Sequence, residues 1–186
     1  IVDEAHSTGL YGNRGSGIVE RDGLEKSVLC SMHTGGKALG VGGAWIAADQ
    51  ALISHLVNHA RSFIYSTAPI PAMAHGIRSA IEHLQTQPSL AYELHNRAKH
   101  LRNSLRKLGI NTLESDSHII PVFVGENDQA LKLAENMRKS GYDVRAVRPP
   151  TVPPGTARLR LTVRATMEIE MLDQFAETLK RNMTDL

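Results

Sequence analysis

Four side chains with chemical potential stand in an ordered spacing: Asp3 and His6, then Thr34 and Lys37 some thirty residues on. Lys37 lies in the run Ser31–Gly40, between the apolar stretches Val28–Cys30 and Ala44–Ala48. A lysine in a glycine-rich turn between two buried strands is expected to be desolvated. That disfavours the ammonium form and frees the amine for Schiff-base chemistry. Asp3 and His6 close the short apolar run Ile1-Val2, and in open α/β sheets chemistry gathers at the carboxyl ends of strands.

Two other motifs compete for these residues and fare worse. Asp3-Glu4-Ala5-His6 is also the four-letter box with which RNA helicases manage magnesium and water. No phosphate loop accompanies it: the glycine expected at position 31 is serine, and Lys37 is followed by alanine. Ser66-Thr67-Ala68 carries the residues of a helicase motif in the wrong order. His55 and His59 have the spacing of a zinc pair, but no third ligand follows by spacing and no glutamate lies between them. They are expected on a solvated helix face, and no metal site is expected.

The bulk numbers narrow the function classes. Formal charge is only +2, from 21 basic and 19 acidic residues, and aromatics make up 4%. Neither a strong field nor a stacking platform recommends nucleic acid, and no apolar run is long enough for a membrane span. Cys30 is the single cysteine, so no internal disulfide forms and a reducing, cytoplasmic setting fits. The chain opens at Ile1 without methionine and enters at once what reads as a core strand, so an upstream portion is expected to be missing.

The elements that must position the four residues follow from periodicity. Strands are expected at residues 1–2, 28–30, 44–47 and 63–65, with a glycine-rich loop from Ser7 to Gly17. Asp49 is the expected N-cap of a helix reaching Arg61, and Pro71 opens the next. A long helix over about 88–108, ended by Gly109, bridges two lobes. From 111 onwards come strands at 119–124, 144–147 and 158–163, a helix at 128–140, and a final helix capped by Thr166. The expected architecture is α/β, a parallel-leaning sheet over 1–110 followed by a small α+β domain over 111–186.

The chemistry of pyridoxal phosphate asks for a set like Asp3, His6, Thr34 and Lys37. It needs a carboxylate to keep the pyridine nitrogen protonated, a donor near the ring hydroxyl, a hydroxyl for phosphate and a lysine for the imine. At these residues the sequence resembles the α-oxoamine synthases, fold-type-I pyridoxal-phosphate enzymes. The likeness rests on Val2–Gly9, Gly12-x-x-Gly15-x-Gly17, Thr34–Gly40, Phe63–Thr67, Ser117–Pro121 and Arg148–Thr162, in that order along essentially the whole chain. Two glycines between Thr34 and Lys37 depart from the family pattern, where one is more often bulkier. The family's first half, with its cofactor-stacking ring, is absent from these residues.

The resemblance implies the second half of the large domain of a fold-type-I transferase plus the small C-terminal domain. It implies pyridoxal 5'-phosphate as cofactor, with Lys37 as the imine lysine and base. Asp3 would sit on the pyridinium nitrogen, His6 on the phenolic oxygen, and Thr34 on the phosphate. Ser66 and Thr67 would reach the phosphate of a partner subunit in a homodimer. Arg160 would pair with an amino-acid carboxylate, and Thr151 and Arg148 would line the acyl side. The implied reaction condenses an amino acid with an acyl-CoA thioester and releases carbon dioxide. Segments 117–121 and 148–153 are most like members acting in biotin synthesis on L-alanine and a pimeloyl thioester; members using glycine or serine are the alternative. A non-catalytic C-terminal fragment acting as an interaction module is the alternative of a different class.

Overall fold

The computed structural model describes residues 1–184; the last two residues of the expected 111–186 domain lie outside the described residues. The chain divides into two compact units, Ile1–Ala91 and a second beginning at Tyr92. The division falls before most of the long helix, ahead of the boundary expected after residue 110. The reason is burial: Leu94, Ala98, Leu101 and Leu105 of that helix are all buried in the second unit's core.

The first unit holds β1 (Val2–Asp3), α1 (Ile18–Arg21), β2 (Cys30–Thr34) and β3 (Ala44–Ala48). After them come α2 (Gln50–His59), α3 (Arg61–Ile64) and α4 (Pro71–Thr86). The sheet order is β1-β2-β3, with β1 parallel and β3 antiparallel to β2, so only one pair is parallel. β2 starts at Cys30, where the expected strand ended, and runs to Thr34. Its polar residues Ser31, His33 and Thr34 disguised it; pairing with β3 satisfies its backbone groups. Side chains alternate across it: Ser31 and His33 are buried, while Met32 faces out, as does Ile46 across the ladder.

The helices start where the sequence signals them. Asp49 accepts from Leu52 N at 2.8 Å, and Pro71 occupies the first turn of α4. Residues 63–65, expected as a strand, form α3 and its cap instead. Their aromatic and β-branched composition suggests a strand, but local bonds such as Ile64 N to Ala60 O at 3.0 Å satisfy the backbone without a partner strand. α2, α3 and α4 contain no fully buried residue, although an apolar face is present on α2 and α4.

The second unit comprises most of α5 (Ser89–Lys107), then β4 (Ile119–Gly125), α6 (Asn127–Lys139), β5 (Arg145–Val147), β6 (Ala157–Thr162) and α7 (Ile169–Thr184). Its sheet is antiparallel throughout, in the order β4-β6-β5. The core is closed: Leu105, Ile120, Leu133, Met137, Leu159 and Leu179 are each under 2% exposed. Each such side chain contributes about 1.5–3 kcal/mol of burial. Gly109 follows α5 at φ 74°, and Ile110 N reaches back to Leu105 O at 3.0 Å, the helix stop expected there. Thr166 lies in a turn three residues before α7, so it is not the cap; that helix begins at Ile169. Among the described residues no helix is long and apolar enough to cross a membrane.

Candidate active site

β1 and β2 run side by side in the same direction, with Asp3 the Cα partner of Met32. Partners across a ladder share a face, and so do residues two apart on a strand. Asp3 and Thr34 therefore stand on one face at the carboxyl edge, roughly 8 Å apart by strand spacing and rise. Lys37 follows in the turn, which Gly35 N closes on Gly43 O at 2.8 Å and Val41 N on Gly35 O at 2.9 Å. A Cβ on Gly35 would overlap the Val41 carbonyl oxygen, whereas Gly36 faces open space. The turn therefore needs glycine at 35 and not at 36.

Asp3 is exposed, and its Oδ1 accepts from Ala5 N at 2.8 Å. His6 is exposed in the following turn. Thr34 Oγ1 is buried and has no hydrogen-bond partner, a cost a native site seldom bears without a ligand. Lys37 is exposed, which corrects the expectation of a desolvated amine. The apolar pair Met32 and Ile46 on the neighbouring strands is likewise exposed.

Glu4 points the other way. It is fully buried and takes Ile18 N at 2.9 Å, Val19 N at 2.6 Å and the Ser7 hydroxyl. Burial raises its pKa, but these donors outweigh burial and hold the carboxyl below its ordinary value. Glu4 thus fastens the glycine loop and the start of α1 to the end of β1. It has no role like that of a metal-managing helicase carboxylate. Gly17, at φ 127°, makes room: a Cβ there would lie 2.5 Å from the Glu4 carboxyl carbon.

On the same inner face lies His33, which the sequence reading passed over. Its Nδ1 is 2.8 Å from Thr8 Oγ1, its Nε2 2.8 Å from Ser31 Oγ, and its ring stacks on Trp45 at 5.2 Å. Burial lowers its pKa, against the opposing pull of Glu4. A polar residue at an inward position of a strand was the available signal.

The remaining expected residues lie on other elements. Ser66 and Thr67 are exposed after α3, and the Ser66 hydroxyl donates to Ser62 O. In the second unit Arg160 is exposed on β6, beside Pro121 and Arg145 in register. Among the described residues the Arg160 side chain makes no hydrogen bond or ion pair, whereas that of Arg158 is bound to its own turn through Thr156 O at 3.0 Å. Arg148 and Thr151 are exposed and joined by Thr151 N to Arg148 O at 3.0 Å. His55 and His59 stack at 4.3 Å on exposed α2, with His59 Nδ1 donating to the His55 carbonyl.

Comparison with known proteins gives this arrangement a family. The aminotransferase class I and II family matches residues 1–179. An 8-amino-7-oxononanoate synthase of Anaeromyxobacter dehalogenans is 40% identical over 186 residues, covering 100% of this chain and 46% of that protein. The synthase of that name from Chromohalobacter salexigens is 38% identical over 179 residues, covering 96% and 46%. The chain thus spans a little under half the length of these relatives. Among solved structures, serine palmitoyltransferase of Sphingomonas wittichii superposes with a TM-score of 0.92 at 25% identity, covering 100% of this chain and 47% of that one. The 8-amino-7-oxononanoate synthase of Francisella tularensis shares the fold at a TM-score of 0.89 and 22% identity, covering 99% and 55%. The chain, with its α/β architecture, belongs to the aminotransferase class I and II family.

Proposed function

We propose that the protein condenses L-alanine with a pimeloyl-type CoA thioester, with loss of carbon dioxide and CoA, to give 8-amino-7-oxononanoate. The observation that carries this reading is the shared face of Asp3 and Thr34 at the ends of two parallel strands, with Lys37 in the turn beyond. The relatives near 40% identity bear that activity in their names.

The residues present fit pyridoxal phosphate. Thr34 Oγ1 is a buried hydroxyl in want of a partner, and a phosphate oxygen supplies one. When bound, the cofactor supplies an electron sink for the carbanion formed at the amino acid's α-carbon. Asp3 presents a carboxylate that favours a protonated ring nitrogen, as an opposite charge within ~4–6 Å does. His6 would donate to the phenolic oxygen. Lys37 Nζ would hold the cofactor and serve as the base for the α-proton. Arg160, with no competing partner, offers the planar fork that a carboxylate takes bidentately, and Arg148 and Thr151 line the acyl side. Ser66 and Thr67, exposed after α3, would reach a second subunit's phosphate in a homodimeric working unit.

The test is product formation by the full native chain. L-alanine with pimeloyl-CoA is expected to release CoA and carbon dioxide faster than glycine with acetyl-CoA or serine with palmitoyl-CoA. The serine reaction is the second reading, favoured by the likeness to serine palmitoyltransferase structures. If the serine pair reacts fastest, the substrate assignment moves there.

A further inference from the structure

We propose that His33 is a positioning residue. As the Nδ1–H tautomer it ties the turn that follows Asp3 and bears His6 to the strand that ends at Thr34 and leads into the Lys37 turn, and so sets the spacing between the two halves of the cofactor site. The inference rests on the function proposed above for what the spacing serves, but the tie itself rests on a proton inventory. Thr8 Oγ1 lies 2.8 Å from the Glu4 carbonyl oxygen and 2.8 Å from His33 Nδ1. A carbonyl oxygen only accepts, so the single hydroxyl proton of Thr8 is committed to Glu4. His33 Nδ1 must then be the donor to Thr8. A neutral imidazole has one donor and one acceptor, so Nε2 accepts from Ser31 Oγ, 2.8 Å away. Among the described residues the Ser31 hydroxyl makes no other hydrogen bond.

Each ring nitrogen is thereby assigned, and the ring plane is fixed by Trp45 stacked at an interplanar angle of 6°. The chain of bonds runs from the Glu4 carbonyl through Thr8 to His33, the residue directly before Thr34. It spans 25 residues of sequence. Together with Glu4 N to Met32 O at 2.8 Å, it holds residues 4–8 against β2. His33 faces inward and Thr34 outward on adjacent positions, so a displacement of the ring is passed to the phosphate-side hydroxyl through one peptide unit. The same displacement reaches His6 through Thr8, two residues away. His33 touches neither cofactor nor substrate in this scheme; it acts through Thr8 and Thr34.

The test uses the full native chain, with two readouts. In two-bond proton–nitrogen correlation spectra of protein labelled with ¹⁵N-histidine, His33 is expected as the neutral ring protonated on Nδ1. A ring protonated on Nε2 alone overturns the proposal. Pyridoxal phosphate affinity, followed by cofactor absorbance, supplies the second readout. The Asn amide nitrogen occupies the place of Nδ1 and the Gln nitrogen that of Nε2. His33→Gln and Thr8→Val are expected to weaken binding about tenfold, the worth of one lost buried hydrogen bond, while His33→Asn stays within about threefold. Equal affinities in His33→Asn and His33→Gln overturn the positioning role. If variants fail to fold, the wild-type spectrum still decides the tautomer. A wild type that binds no pyridoxal phosphate overturns the proposed function, and the spectrum then judges the tie separately.

Discussion

Asp3 and Glu4 are adjacent in sequence and face opposite sides of the sheet, one carboxylate exposed at the candidate site and the other fully buried beneath it. The division separates chemistry from architecture at the end of a single strand. Substitutions at the two positions are accordingly expected to fail in different ways.

Replacing Asp3 by Asn keeps the size and removes the charge. The full-length protein is expected to retain pyridoxal phosphate on Lys37, because that attachment does not need the carboxylate. Turnover is expected to fall roughly 10²-fold or more, at least ~2.7 kcal/mol in the barrier. Steady-state kinetics beside a cofactor absorbance spectrum separate the two effects. Near-normal turnover would remove Asp3 from the ring nitrogen.

Lys37 is expected to be the attachment point itself. Borohydride reduction of the cofactor-loaded full chain, followed by peptide mapping, should leave the pyridoxyl label on the peptide containing Lys37. Label on another lysine would sink the assignment. Lys37→Ala is expected to abolish labelling.

Gly17→Ala tests the Glu4 side. The added methyl meets the Glu4 carboxyl at 2.5 Å, and the backbone sits at φ 127°, where side chains are strained. A loss of about 2 kcal/mol or more is expected in chemical unfolding, the sum of overpacking and backbone strain. Gly23→Ala is the control for backbone strain without a clash, since its Cβ would meet open space at φ 65°. Equal losses at both positions would mean that Glu4 yields freely.

A pH dependence follows from Asp173 in the second unit. The His100 hydrogen bond at 2.7 Å is the main influence holding its carboxyl below the ordinary 3.8, helped by Ser104 at 3.1 Å and by nearby Lys107. A depressed folded-state pKa stabilises the fold above the unfolded value, and that stability is lost as pH falls through the folded pKa. The pair is solvent-screened, so the effect belongs in the ~0–1 kcal/mol range. Thermal midpoints at about pH 5 and about pH 3 should differ more in the wild type than in Asp173→Asn. An identical difference in both would refute the contribution.

Much of this was legible in the sequence because local chemistry dictates it. Asp49 as a cap, Pro71 in a first turn and Gly109 as a helix stop are positions where one residue type solves one backbone problem. The buried positions Leu172, Phe175, Ala176 and Leu179 of α7 were given by helical spacing. What failed was tertiary. β2 was read too short because its inward residues are Ser31 and His33, which bond to each other, with His33 also bonded to Thr8 and stacked on Trp45. Residues 63–65 read as a strand because composition carries no word on whether a partner strand exists. The candidate set Asp3, His6, Thr34 and Lys37 was named from its types and spacing; the histidine behind it was not, since nothing in a linear spacing says that Thr8 returns to meet it.

The contrast between the second unit's sealed core and the three helices of the first without a fully buried residue has a kinetic side. Amides of β4 and β6 exchange with solvent only when a whole layered unit opens, whereas those of α2 to α4 are released by small local excursions.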